Sequence, residues 1–241
     1  MLTLKHINYA YAQNDSLNDI NLAIKPGEFV ALMGPNGSGK STLFKLINGL
    51  IQPTSGHYYF KQHLIDAQYL KNITQVTQLH QAIGFVFQNS DVQLFNETVF
   101  DELAFGPRQL GFDEPVVEQR VTDCLKLLQI EKLAQRIPYQ LSGGEKKLVA
   151  LGCVLTMNPE VLVLDEPFNG LSVAYQTLIC QVLTALHEAG KTILIASHQF
   201  NLIRTIAQRI VVFNEAHQIE TDLSTSQILA SPQLTAHLNL L

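Results

Sequence analysis

Phe29-Val30-Ala31-Leu32-Met33-Gly34-Pro35-Asn36-Gly37-Ser38-Gly39-Lys40-Ser41-Thr42 is an apolar run that breaks into a glycine-rich turn and closes on a lysine and two hydroxyls. Five consecutive apolar residues suit a strand buried on both faces. Leu43, Leu46, Ile47 and Leu50 then fall at i, i+3, i+4 and i+7, which predicts an amphipathic helix stopping at Asn48-Gly49 or shortly beyond. A glycine-rich turn between such a strand and such a helix lets successive backbone N–H groups face an anion at the helix N-terminus. Gly34 to Thr42 therefore reads as a cradle for the β- and γ-phosphates of a nucleotide, with Lys40 neutralising them and the Ser41 hydroxyl facing Mg²⁺.

Upstream, Leu2, Leu4, Ile7 and then Leu22 and Ile24 alternate with polar residues, which predicts an antiparallel hairpin turning at Asn14-Asp15. Downstream, Pro53-Thr54-Ser55-Gly56 is a turn leading into a strand at 57–60, and 83–87 reads as another strand. Residues 1–88 thus hold an antiparallel β subdomain and the first part of the core. Residues 89–158 have helical periodicity and form a helical subdomain, in which Asp113 caps a helix lined by Val117, Val121, Cys124, Leu125 and Leu128. Residues 159–215 return to the core, where Val161–Leu164, Thr192–Ala196 and Ile210–Phe213 alternate with helical stretches and imply a parallel sheet. The tail, 216–241, is polar and weakly periodic.

The chain is 241 residues long and 46% hydrophobic, enough to bury a sizeable core. Its 21 acidic and 16 basic residues leave a net charge of −5 with no basic stripe, which argues against nucleic acid as a partner. No apolar run reaches the roughly 20 residues that span a bilayer, and the N-terminus lacks a signal-peptide core, so a cytosolic location is expected. Cys124, Cys153 and Cys180 are too scattered for a disulfide framework or zinc site and read as core residues. The histidines form no cluster with metal-ligand spacing.

Val161-Leu162-Val163-Leu164-Asp165-Glu166 sets two carboxylates at the C-terminal end of a buried strand, where open α/β sheets build ligand sites. Asp165 would hold Mg²⁺ and Glu166 would polarise an attacking water. The competing reading is an acidic pair that caps the next helix. Leu141-Ser142-Gly143-Gly144-Glu145 contains a capping box, and its exposed Ser142, Gly143 and Gly144 at a helix N-terminus also make an anion site.

These motifs, with Gln88 and Ser197-His198, occur in one order that resembles the ATP-binding-cassette family over nearly the whole chain. The resemblance implies an α/β fold with a RecA-like P-loop core and parallel sheet, an N-terminal antiparallel β subdomain and an inserted α-helical subdomain. It implies ATP and Mg²⁺ as cofactors, and a homodimer or heterodimer with a second such ATPase, in which two ATP lie between the phosphate loop of one subunit and Ser142–Gly144 of the other. His198 matches the switch histidine that contacts the γ-phosphate. Gln88 matches the glutamine joining Mg²⁺ and water to the helical subdomain. Tyr11 lies where the family stacks an aromatic on adenine, with Tyr9 as the alternative.

Gln88 to Phe95 and Thr98 to Pro107 resemble the energy-coupling-factor importers, especially the cobalt and nickel branch. That implies a peripheral position on the cytoplasmic face of the membrane and docking of membrane transport subunits on the helical subdomain. Asp101 and Glu102 would accept arginines there, or else simply begin a helix. Three residues depart from the family pattern: Ser172 replaces an Asp, Phe168 a small or hydroxylic residue, and Leu148 an Arg. The reading is therefore the ATPase of a cobalt or nickel importer. The alternatives are a vitamin importer and a soluble nucleotide-gated ATPase with weak hydrolysis.

Overall fold

The computed structural model describes residues 1–12 and 14–240. Strands β1 (Leu2–Tyr11) and β2 (Asn14–Ile24) form the hairpin, and β3 (Phe29–Met33) leads into helix α1 (Lys40–Ile47). Next come β4 (Ser55–Phe60), β5 (His63–Leu64), α2 (Ala67–Lys71), α3 (Ile73–Ala82) and β6 (Ile83–Val86). Helices α4 (Val99–Gln109), α5 (Glu114–Leu127) and α6 (Gly143–Leu155) stand between β6 and β7 (Val161–Asp165). The chain continues through α7 (Val173–Glu188), β8 (Thr192–Ala196), α8 (Phe200–Ile206), β9 (Arg209–Phe213), β10 (Ile219–Ser224), α9 (Thr225–Leu229) and α10 (Pro232–Leu238).

One sheet has the order β2-β1-β4-β5 and is antiparallel; the other has the order β10-β9-β3-β8-β7-β6 and is parallel except for β10. The period-two pleat sends alternate residues of β3 into two cores. Phe29, Ala31 and Met33 pack with Leu103, Val121, Leu148 and Leu183, whereas Val30 and Leu32 pack with Leu43, Phe44, Ile7 and Tyr58. The central strand thus ties the helical layer to the antiparallel sheet, and the loop after Met33 is anchored from both faces.

Several expectations need correction. Asn14 and Asp15 do not turn: they are strand residues paired with Tyr11 and Ala10. Leu50 lies past the end of α1 and is exposed, because Gly49 takes a left-handed φ of +69° and the chain leaves the helix axis. The strand expected through Phe87 ends at Val86. Asp113 occupies the N-cap of α5 but makes no capping hydrogen bond. The tail is structured: β10 pairs antiparallel with β9, and Ile228 and Leu238 are buried in the main core. The cysteines are free, with Cys124 buried and the other two half-buried. No described helix is long and apolar enough to cross a membrane.

Candidate nucleotide site

Strands β3, β7 and β8 are neighbours in register, so their C-terminal ends lie side by side. The Ser197 N–H donates to Leu32 O at 3.2 Å and the Glu166 N–H to Ala196 O at 2.9 Å. Gly34, Asp165-Glu166 and Ser197-His198, distant in sequence, are thereby gathered at one edge.

The loop before α1 depends on glycine where the backbone has no room. Gly34 has φ +139° and a Cβ there would collide with Phe213 O; Gly39, with φ +107°, would collide with Ser16 O. Gly39 is also the N-cap of α1, which has no side-chain cap, so the first N–H groups of the helix stay open to an anion. The Lys40 ammonium donates to Gly34 O at 2.7 Å and Pro35 O at 2.9 Å. Burial lowers its pKa, while the Glu166 and Asp165 charges raise it. The Thr42 hydroxyl is bonded to that of Ser16 of β2 at 2.8 Å, which ties the start of α1 to the hairpin. Ser16 is a support that the sequence motif did not flag.

Asp165 is buried, its Oδ1 lacks any hydrogen-bond partner, and desolvation raises its pKa against the opposing pull of Ser41 and Lys40. Glu166 is also raised by burial, opposed first by His198, whose Nδ1 lies 3.1 Å from Oε2. Its backbone sits at φ +48°, a left-handed conformation that side chains adopt at a cost. Gln88 is exposed just beyond β6, on the same end of the sheet. Tyr9 and Tyr11, both on one face of β1, meet edge to face with centroids 4.9 Å apart, so the two adenine candidates form one aromatic corner.

Ser142 and Glu145 form the capping box of α6: Glu145 accepts from both the N–H and the hydroxyl of Ser142 at 2.8 Å, and its own N–H donates back to the hydroxyl. Gly143 faces open space, whereas a Cβ at Gly144 would enter the Tyr175 ring. Ser142 and Gly143 are exposed. Among the described residues, no hydrogen bond or ion pair joins Ser142–Gly144 to the Gly34–Thr42 loop.

The acidic pair on α4 divides. Glu102 is buried, and its carboxylate accepts from the Phe95 and Asn96 N–H groups, so it clamps the preceding loop and cannot receive a partner's arginine. Asp101 stays near the surface but already accepts from Arg108 at 3.1 Å and from the Thr98 hydroxyl. The three departures from the family pattern also find places. Phe168 and Leu148 fill the core, and Ser172 caps α7 by accepting from the Tyr175 N–H.

A family model described as "ABC transporter" matches residues 17–169. The chain belongs to the ABC transporter family. It is 50% identical to the "Nickel import ATP-binding protein LarO" of Lactiplantibacillus plantarum, over 99% of both chains. Among solved structures it resembles cbiO1 of Clostridium perfringens, described as part of the ABC transporter complex cbiONQ, with a TM-score of 0.85, 34% identity and coverage of 99% of this chain and 94% of that one. It also resembles the ATP-binding cassette MJ0796, a dimer bound to ADP and Pi, with a TM-score of 0.82, 32% identity and coverage of 93% and 99%. Energy-coupling-factor ATP-binding proteins are also among its relatives. This ABC ATPase hydrolyses ATP to drive transport.

Proposed function

We propose that this chain powers import of a divalent transition-metal ion, nickel before cobalt, by closing as a dimer around two ATP at the cytoplasmic face of the membrane. The observation that carries the reading is the convergence of Lys40, Asp165, Glu166 and His198 at the ends of β3, β7 and β8. The choice of nickel rests on the name borne by the relative at 50% identity. Among the described residues no group of three or more His, Cys, Asp or Glu could hold a metal.

Lys40 releases the loop carbonyls and turns to the β- and γ-phosphates, which the open N–H groups of α1 also receive. The unpartnered Asp165 Oδ1, beside the Ser41 hydroxyl, is a hard-oxygen set that fits Mg²⁺. When bound, Mg²⁺ would neutralise charge on the phosphate oxygens. Glu166 orients a water and takes its proton as the water oxygen bonds to the γ-phosphorus and the bond to the β-phosphate bridge breaks. His198 steadies the carboxylate, Gln88 relays occupancy to the helical segment, and the Tyr9–Tyr11 corner holds adenine. Exposed Ser142 and Gly143 face the partner's γ-phosphate, which explains why they have no contact with their own loop.

The membrane partner fits a groove of about 580 Å³ between α3, β6 and α4, lined by Leu50, Phe85, Phe87, Phe95, Phe105 and Leu110. Phe95 and Phe105 are exposed and stack edge to face there. The test is uptake of radiolabelled nickel by vesicles holding the chain with its membrane subunits, with cobalt and biotin as competitors. Nickel uptake that requires ATP and stops in Lys40→Ala supports the reading; uptake of a vitamin but no metal overturns the cargo.

A further inference from the structure

The helix that carries Ser142–Gly144 also reaches the catalytic carboxylate of its own subunit. Lys147, in the second turn of α6, lines a narrow cleft with Phe87, Ser90, Leu164 and Pro167, and its ammonium donates to the main-chain carbonyl of Glu166 at 3.2 Å. That carbonyl is the only hydrogen-bond acceptor of Lys147 among the described residues. It also accepts from the Asn169 N–H at 3.3 Å, while the Glu166 N–H is tied to Ala196. The residue so held is the one at φ +48°, a conformation that persists only where its surroundings fix it. The neighbouring Lys146 turns outward to Asp91 at 2.6 Å and Leu148 is buried in the core, so Lys147 is the cation that α6 sends to this edge of the sheet. Burial lowers the pKa of Lys147 while the Glu166 charge raises it, consistent with a half-buried ammonium drawn toward that residue.

We infer that Lys147 is a positioning residue that locks the Glu166 main chain in its left-handed conformation and so aims the carboxylate. The inference rests on reading Glu166 as the group that activates water. One helix then serves two sites: its N-terminus faces the partner's nucleotide, and one turn further on it holds the base of its own.

The test is ATP hydrolysis by the assembled transporter carrying Lys147→Met or Lys147→Arg, each alone and combined with Glu166→Gln. Lys147→Met should lower kcat about tenfold with KM for ATP within about twofold, and Lys147→Arg should recover most of the rate. In the Glu166→Gln background, single-turnover hydrolysis should show no further loss from Lys147→Met, since no carboxylate remains to aim. A wild-type rate in Lys147→Met, or the same tenfold loss repeated in the Glu166→Gln background, would overturn the inference and assign the lysine to folding or dimer closure. A Glu166→Gln variant that hydrolyses ATP at the wild-type rate would instead overturn the reading of Glu166, and this inference with it.

Discussion

Glu166 combines three features that suit the base proposed for it: burial that raises its pKa, a backbone held in a costly conformation, and an imidazole 3.1 Å away. A carboxyl raised above its ordinary 4.5 must lose its proton before it can accept one from water, so kcat should fall as pH drops through a value above 4.5. Because His198 opposes that rise, His198→Ala should move the acid limb to still higher pH while lowering the plateau. A pH–rate profile checks both, and an acid limb unmoved by the substitution would separate His198 from Glu166. Gly39 offers a structural counterpart. Gly39→Ala forces a side chain onto φ +107° and into Ser16 O, and should cost about 1–3 kcal/mol in a denaturant titration together with the loss of ATP binding. A variant that binds ATP normally would show that the loop can rearrange.

At the level of elements, what could be read from the sequence is what depends on short-range pattern. Strands β3, β7 and β8 are buried from end to end and apolar but for Asp165 and Thr192, because both faces are covered, and α1 and α6 begin at glycine or a capping box that can be spotted by eye. Helices α2 and α3 leave no such pattern in the sequence because they bury little, Leu79 alone in α3 and nothing in α2, and start on the Asp66 and Asn72 side chains instead. Strand β10 is equally silent in the sequence, because an edge strand pairing on one side needs no continuous apolar run. At the site, Lys40, Asp165, Glu166 and Ser142 stood out by motif. The clamp made by Glu102 and the reach of Lys147 did not, since both depend on which segments the fold brings together. Glu102→Ala should therefore destabilise the protein by about 3 kcal/mol by stranding the Phe95 and Asn96 N–H groups, measured by urea unfolding. A loss below about 0.5 kcal/mol would mean that water replaces the clamp. Ser172→Asp keeps an N-cap on α7 and should leave Tm unchanged, since Asp caps as well as Ser. Restoring a carboxylate at the proposed dimer seam should raise kcat about tenfold in the assembled transporter. An equal or lower rate would show that Ser172 does not limit turnover.

The whole molecule is built of two cores that share one strand. Phe29, Ala31 and Met33 pack against the helical segment while Val30 and Leu32 pack with α1, so the phosphate loop and the helical segment rest on the same strand. Phe105→Ser should weaken co-purification with the membrane subunits and abolish uptake while sparing ATP hydrolysis by the free protein; full uptake would place the docking surface elsewhere. If two chains close on two ATP with Glu166 poised on water, size-exclusion chromatography of Glu166→Gln, with bound nucleotide counted in the peak, should show it. With ATP and Mg²⁺ the variant should run as a dimer retaining one ATP per chain with little released phosphate. A monomer that turns over ATP at the wild-type rate would contradict it.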